Sequence, residues 1–333
     1  MRSFKRLSQQ LANYRPSARG VAAAAFGALV VAGSVTLMNN VLVRWDSADY
    51  ERLHKRHAVS RLAKPDTIRV LTSVAKVKDA FSSAGYHLDA VRRGQVDVPR
   101  VQRASLPYDL PKMRQAQERK TVFLRYMLPY ILEANNKVRK QRERLLKLWQ
   151  KRRSDERLGE GESAWLASLF TDYRVKPGEF SILLSRVDTV PVSLALAQAA
   201  VESGWGTSRF AQEGNAPFGQ WTTTDNAGMV PQKREEGLTH KVRSFDSLEK
   251  SVEAYLRNLN THRAYRTFRK LRSAFRKKDE PVDSLAIAET LTAYSEKGKG
   301  YVELLKHIIT TNELRALDSA RLGDSVVVFR PDA

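Results

Sequence analysis

The chain has 333 residues, and its 57 Lys and Arg against 36 Asp and Glu give a formal charge of +21. That balance favours an anionic partner, whether nucleic acid, a membrane surface or an acidic polymer, without choosing among them. Cysteine is absent, which excludes disulfides, cysteine-based metal sites and a cysteine nucleophile. The length suits one well-buried core with attachments.

Residues 1–19 hold Arg2, Lys5, Arg6, Arg15 and Arg19 with no acid, and residues 20–43, "GVAAAAFGALVVAGSVTLMNNVLV", run without a charge. That run reaches the roughly 20 residues a helix needs to span a bilayer. The expectation is a cytoplasmic basic tail followed by a single-pass signal anchor, with the rest of the chain outside the cytoplasm. The rival is a cleaved signal peptide, for which Ala32-Gly33-Ser34 offers a weak small-x-small site. Arg44, Arg52, Lys55 and Arg56 follow the span and blunt the charge asymmetry. Residues 44–95 are polar and weakly periodic and read as a stalk with short helices, for example around Ile68 to Ala80. His54 and His57 stand three apart but have no third ligand near them, so they read as solvated.

Residues 96–160 read as a helical segment. Pro99, Pro107 and Pro111 mark an extended entry. A long helical pattern then runs from about Arg114 to Leu158, with Val122, Phe123, Tyr126, Met127, Ile131 and Leu132 at helical spacing. Pro129 should kink or divide it. Downstream, Val138, Leu145, Leu148 and Trp149 supply a buried stripe in an otherwise basic helix.

Residues 161–318 read as the catalytic-sized core and 319–333 as a tail. Pro191 suits the first turn of a helix, along which Leu194, Ala195, Gln198, Ala199 and Glu202 fall at spacings of three and four. Gln198 and Glu202 thus share a flank near an end that Gly204 or Gly206 can terminate. "FGQWTTT" and "HKVRSF" alternate as short strands of a hairpin or small β-lobe, with "DNAGMVPQKREEGLT" between them. Four helical stretches follow, the first with Asp246 or Ser247 as N-cap. The chain is therefore mainly α with one small β-insertion.

The chemistry gathers in "AVESGWGTSRFAQEGNAPFGQW", residues 200–221. A carboxyl ending an alanine-rich apolar helix is partly desolvated, which raises its pKa and suits a general acid. Glycines allow close approach of a substrate, and an indole offers a flat face to a pyranose. By this argument alone Glu202 is either a catalytic acid or a structural carboxylate bonded to a loop amide.

The segment "RVDTVPVSLALAQAAVESGWGTSRFAQEGNAPFGQWTT" closely resembles the Bax-type branch of the glucosaminidase domains, related to endo-β-N-acetylglucosaminidases of glycoside hydrolase family 73. The likeness continues through "VRSFDSLEKSVEAYLRNLNTHRAYRTFR" and "YSEKGKGYVELLKHI", and upstream through "ERKTVFLRYMLPYILEANNKV". The resemblance implies a lysozyme-like α+β catalytic domain with a small β-lobe, acting on peptidoglycan. It implies Glu202 as catalytic acid, Tyr294 lining the cleft opposite it, and Tyr301 as a second cleft tyrosine. It matches Trp205, Gly206 and Arg209 to a turn that shapes the cleft and Asn215, Phe218 and Gly219 to its "N-x-x-F-G" element; of these, Trp205, Arg209, Asn215, Phe218 and Gly219, together with Gln198, Ser203 and Trp221, are the residues expected to bind substrate. Ala216 and Pro217 depart from that element's usual polar and aliphatic residues, which puts the local loop geometry in question.

Glycoside hydrolysis usually needs a second carboxylate. The β-lobe offers Glu235 and Glu236, with Asp225 behind them, and the substrate's 2-acetamido group is the substitute. Glu213 reads as a capping or salt-bridging group. His240 and His262 do not form a metal site, and neither a metal nor a cofactor is expected. The expected partner is the peptidoglycan glycan strand, cleaved at N-acetylglucosamine linkages, with the membrane engaged through residues 20–43. The expected place is the bacterial inner membrane, with the catalytic domain in the periplasm or wall space. Two alternatives stand beside hydrolysis: lytic transglycosylase-like cleavage by Glu202 alone, and a non-catalytic wall-binding scaffold. Nucleic acid is not expected, since charge is its sole support.

Overall fold

The computed structural model describes residues 72–102, 105–222, 228–229 and 241–329. The basic tail, the apolar run of residues 20–43, His54 and His57 lie outside them. Among the described residues no helix is long and apolar enough to cross a membrane.

The described chain is mainly helical, with two small sheets. Helices α1 (Val74–Ser83) and α2 (Leu88–Arg92) come first. They bury Val74, Val77, Phe81, Leu88 and Val91 in the main core, so residues 74–92 are part of the folded body and not of a stalk. Their charged outer faces hide this in composition, because only one residue in three or four points inward. Strand β1 (Val98–Gln102) follows.

Helix α3 (Ala116–Arg153) is the long element. It runs unbroken through Pro129, where the sequence suggested a kink or a division. Pro129 and its neighbours on either side are buried, and this packing offsets the missing N–H. Its first half belongs to the main core. Its second half carries Leu145 and Leu148 into a satellite core with α4 (Glu160–Asp172) and α5 (Phe180–Arg186), with Trp149 at the margin. Asn135 is buried on α3. Its amide donates to the Val190 carbonyl at 2.8 Å and accepts from the Val190 N–H at 3.0 Å.

That double bond fixes the approach to α6 (Val192–Ser203), in which every residue from Val192 to Ala200 is buried. A helix that is apolar all round must be surrounded, and α6 packs against α3, α11 (Lys299–Thr311) and the 3-10 turn Leu314–Leu317. Pro191 cannot cap the helix with a side chain. The cap comes from far along the chain: Asp318 accepts from the Ser193 N–H at 2.8 Å and from its hydroxyl at 2.7 Å.

After α6 come α7 (Arg209–Gly214) and three short strands, β2 (Trp221–Thr222), β3 (Gly228–Met229) and β4 (Lys241–Arg243). β4 is central and pairs antiparallel with both neighbours, Trp221 opposite Val242 and Met229 opposite Val242 on the other side. The expected hairpin is thus present as β2 and β4, and the segment read as its loop contributes the third strand. Helices α8 (Leu248–Thr261), α9 (Arg266–Lys277) and α10 (Ser284–Ala288) lead to α11. Residues 322–328, assigned to a tail, form β5 (Leu322–Val328), which pairs in parallel with β1. The register shifts between Val98 and Arg100, where Pro99 has no N–H to give to the ladder.

One ionic cluster braces the body. Asp188 is 2% exposed and lies 3.1 Å from Arg276 and 3.6 Å from the fully buried Arg272, with Arg142 at 3.9 Å. Burial raises the Asp188 pKa, and the three guanidiniums, Arg272 foremost, outweigh it and hold the carboxyl below its ordinary range.

Candidate active site

Helix α6 ends in three successive left-handed residues, Gly204 (φ +57°), Trp205 (φ +60°) and Gly206 (φ +80°). Ser203 holds this turn, its hydroxyl donating to the Ala199 carbonyl at 2.5 Å and accepting from the Gly206 N–H at 2.8 Å. The Trp205 N–H returns to the Ala200 carbonyl at 2.8 Å, a Schellman-like closure. Gly206 is obligatory here, because a Cβ on it would stand 2.8 Å from both Leu110 and Phe123. Glu202, one residue before the terminus, is half-buried, with its carboxyl beside the Gly219 backbone.

Around Glu202 the "N-x-x-F-G" element builds a wall. Asn215 (φ +48°) ends α7, and its amide donates to the Phe245 carbonyl at 3.1 Å, tying α7 to the β-lobe. Ala216 and Pro217 start a tight turn closed by the Gly219 N–H on the Ala216 carbonyl at 3.3 Å. Proline suits the second place of such a turn, so the departure from the family pattern is accommodated. Phe218 is buried and stacks on Tyr255 with centroids 3.9 Å apart. Gly219 (φ +59°) then passes so close to Glu202 that a Cβ there would sit 3.3 Å from Oε2.

Tyrosines stand next to it. Tyr294 stacks on Tyr301 at 5.5 Å with ring planes 2° apart, and its hydroxyl donates to the Phe218 carbonyl at 3.3 Å. Tyr265 meets Tyr294 at 5.9 Å. Behind them, the buried Gln198 amide bridges the Tyr255 and Tyr301 hydroxyls at 2.7 and 3.0 Å. Burial raises the Glu202 pKa above the ordinary carboxylate value, against smaller lowering effects from the Tyr301 hydroxyl and the Lys297 ammonium. The phenols of Tyr255, Tyr265, Tyr294 and Tyr301 are all raised, by burial first and in part by Glu202.

The structure thus brings Glu202, Gln198, Ser203, Phe218, Gly219, Tyr294 and Tyr301 together. Gln198, Ser203, Asn215 and Phe218 are at most 1% exposed. They act behind the surface, holding turns and rings, and do not offer surface to a substrate as expected. Trp205 packs edge-on against Phe123 with Lys120 over its ring. Arg209 lies over Phe210 and 3.5 Å from Glu213. Trp221 begins β2. Glu235, Glu236, Asp225 and His240 lie outside the described residues. Sequence reasoning passed over Tyr255, Tyr265 and Lys297. Tyr255 sits with Val252, Leu256 and Leu259 on the buried face of α8, where an aromatic reads as core. Recesses of about 430 and 420 Å³ lie elsewhere and do not border Glu202, so the site is marked by chemistry and not by cavity size.

Glu202 is thus a half-buried carboxyl near a helix end, set beside tyrosines and a glycine turn. Residues 180–314 match the family model described as mannosyl-glycoprotein endo-beta-N-acetylglucosaminidase, the glucosaminidase domain. The chain belongs to the Bax-type glucosaminidase-domain proteins. It is 36% identical over 217 residues to Protein bax of Escherichia coli (strain K12), a match covering 63% of this chain and 75% of that protein. No solved structure matches the chain.

Proposed function

We propose that the chain is a glycoside hydrolase of lysozyme-like architecture that cleaves peptidoglycan glycan strands at N-acetylglucosamine linkages. The observation that carries this reading is Glu202: its burial near the end of α6 favours the protonated carboxyl and raises its pKa above the ordinary carboxylate value, the direction a general acid requires. Glu202 protonates the departing glycosidic oxygen while Tyr294 and Gly219 bound the reacting sugar. The oxocarbenium-like centre is then met by Glu235, by Glu236 or by the substrate's 2-acetamido group. The charge of +21 suits a polymer that carries peptide carboxylates. Residues 20–43 would anchor the enzyme in the inner membrane with the domain outside the cytoplasm.

A second reading is transglycosylation, in which the muramic 6-hydroxyl attacks and Glu202 acts alone. The test is mass spectrometry of muropeptides released by the purified protein and by Glu202→Gln. Hydrolysis gives reducing N-acetylglucosamine ends, and transglycosylation gives anhydro-muramic ends. Binding to cell wall without any release would leave a non-catalytic scaffold.

A further inference from the structure

Counting protons behind Glu202 fixes the direction of a buried hydrogen-bond chain. A tyrosine hydroxyl has one proton to give, and a glutamine amide offers a donor end and an acceptor end. Tyr255 is fully buried, and the acceptor for its hydroxyl proton is Gln198 Oε1 at 2.7 Å. The amide of Gln198, also fully buried, is thereby oriented, with Nε2 donating to the Tyr301 oxygen at 3.0 Å. The proton of Tyr301 is not used in that bond. Gln198 and Glu202 are i and i+4 on α6 and so are neighbours on one face. Beyond Gln198, the group with the largest electrostatic effect on Tyr301 is the Glu202 carboxyl, one helical turn from Gln198 on α6. The reverse amide orientation would leave the Tyr255 proton buried without an acceptor, which buried hydroxyls avoid.

We propose that Tyr255 and Gln198 are positioning residues for Glu202: they hold the Tyr301 hydroxyl as a donor to one carboxyl oxygen and leave the other oxygen to carry the proton delivered to the substrate. This rests on the reading of Glu202 as the acid. The rings cannot easily turn away, because Tyr301 is stacked on Tyr294 and Tyr255 on Phe218. The other groups acting with Glu202 are Lys297, Tyr265 and Tyr294, and none of them contacts Gln198 by a hydrogen bond.

The experiment is the pH profile of muropeptide release by the full chain and three variants. In Tyr255→Phe the amide is released to turn its oxygen toward Tyr301, which withdraws the Tyr301 proton from Glu202. The basic limb moves up by about one pH unit, a tenfold change in the protonation equilibrium, with KM unchanged. Tyr301→Phe moves the limb the same way, and the double variant moves it no further, because both changes act through one bond. An unmoved limb in folded Tyr255→Phe, or additive shifts in the double variant, overturns the proposal. If Tyr255→Phe does not fold, 3-fluorotyrosine at position 255 keeps the shape and strengthens donation to Gln198, so the limb moves down. An unmoved limb there is equally decisive. Retained release by Glu202→Gln would instead overturn the acid assignment itself.

Discussion

Replacing Gly219 and Gly206 by alanine separates what shapes the acid from what holds the fold. Both glycines are left-handed, and an alanine in that region costs about 1–2 kcal/mol. At Gly206 the added Cβ also lands 2.8 Å from Leu110 and Phe123, and overpacking of this kind adds about 1–3 kcal/mol. Gly206→Ala should therefore lose about 2–5 kcal/mol of stability in all. At Gly219 the neighbour is Glu202 Oε2 at 3.3 Å, a flexible end that gives way by a few tenths of an ångström. Gly219→Ala should lose only about 1–2 kcal/mol while displacing the Glu202 carboxyl, the proposed acid, and turnover should fall about tenfold or more. Urea unfolding followed by circular dichroism reads the first quantity, and muropeptide release at saturating substrate reads the second. Equal stability losses, or wild-type turnover in folded Gly219→Ala, would refute the assignment of Gly219 to the acid's wall.

Four further outcomes follow from the structure. Asp188→Asn removes the acid from a buried cluster of arginines and should destabilise by about 3–5 kcal/mol. Because the folded-state pKa of Asp188 lies below its ordinary value, its contribution is present above about pH 4 and fades as pH falls through the lower folded value, so wild type and variant should converge in acid melts. Asp318→Ala uncaps α6 and should cost about 1–2 kcal/mol in urea unfolding, with a larger loss of activity than an exposed substitution such as Glu160→Ala. The Glu202 pKa is raised, and the proposed acid role makes the protonated form the active one, so release should persist above the ordinary carboxylate range and decline as pH rises through the raised value. Glu202→Gln should be at least as resistant to urea as wild type at neutral pH, because the cost of ionising a buried carboxyl is removed.

The long helix, the apolar helix α6 and the strands β2 and β4 were legible in the sequence, because each carries a strong local period. The place of Glu202 near the end of the apolar helix α6 was legible from the alanine-rich run before it. What was not legible is long-range. β5 pairs in parallel with β1 from the far end of the described chain, and such pairing has no local signature. Asp318 caps α6 from a similar distance. Helices α1 and α2 looked like a stalk because their few inward residues are outnumbered by charge. Gln198, Ser203, Asn215 and Phe218 were placed in the right neighbourhood by motif, but a motif does not distinguish a residue that touches substrate from one that holds the residue that does. Tyr255 was hidden by its own helix, where a buried aromatic is ordinary, and only the amide of Gln198 gives it a second role.

The measurement that bears most directly on the central claim is muropeptide mass spectrometry of purified peptidoglycan treated with wild type and with Glu202→Gln under identical conditions. The account predicts fragments with reducing N-acetylglucosamine ends from wild type and none from the folded variant. Equal release by the two proteins would contradict it, and so would the absence of release from wild type.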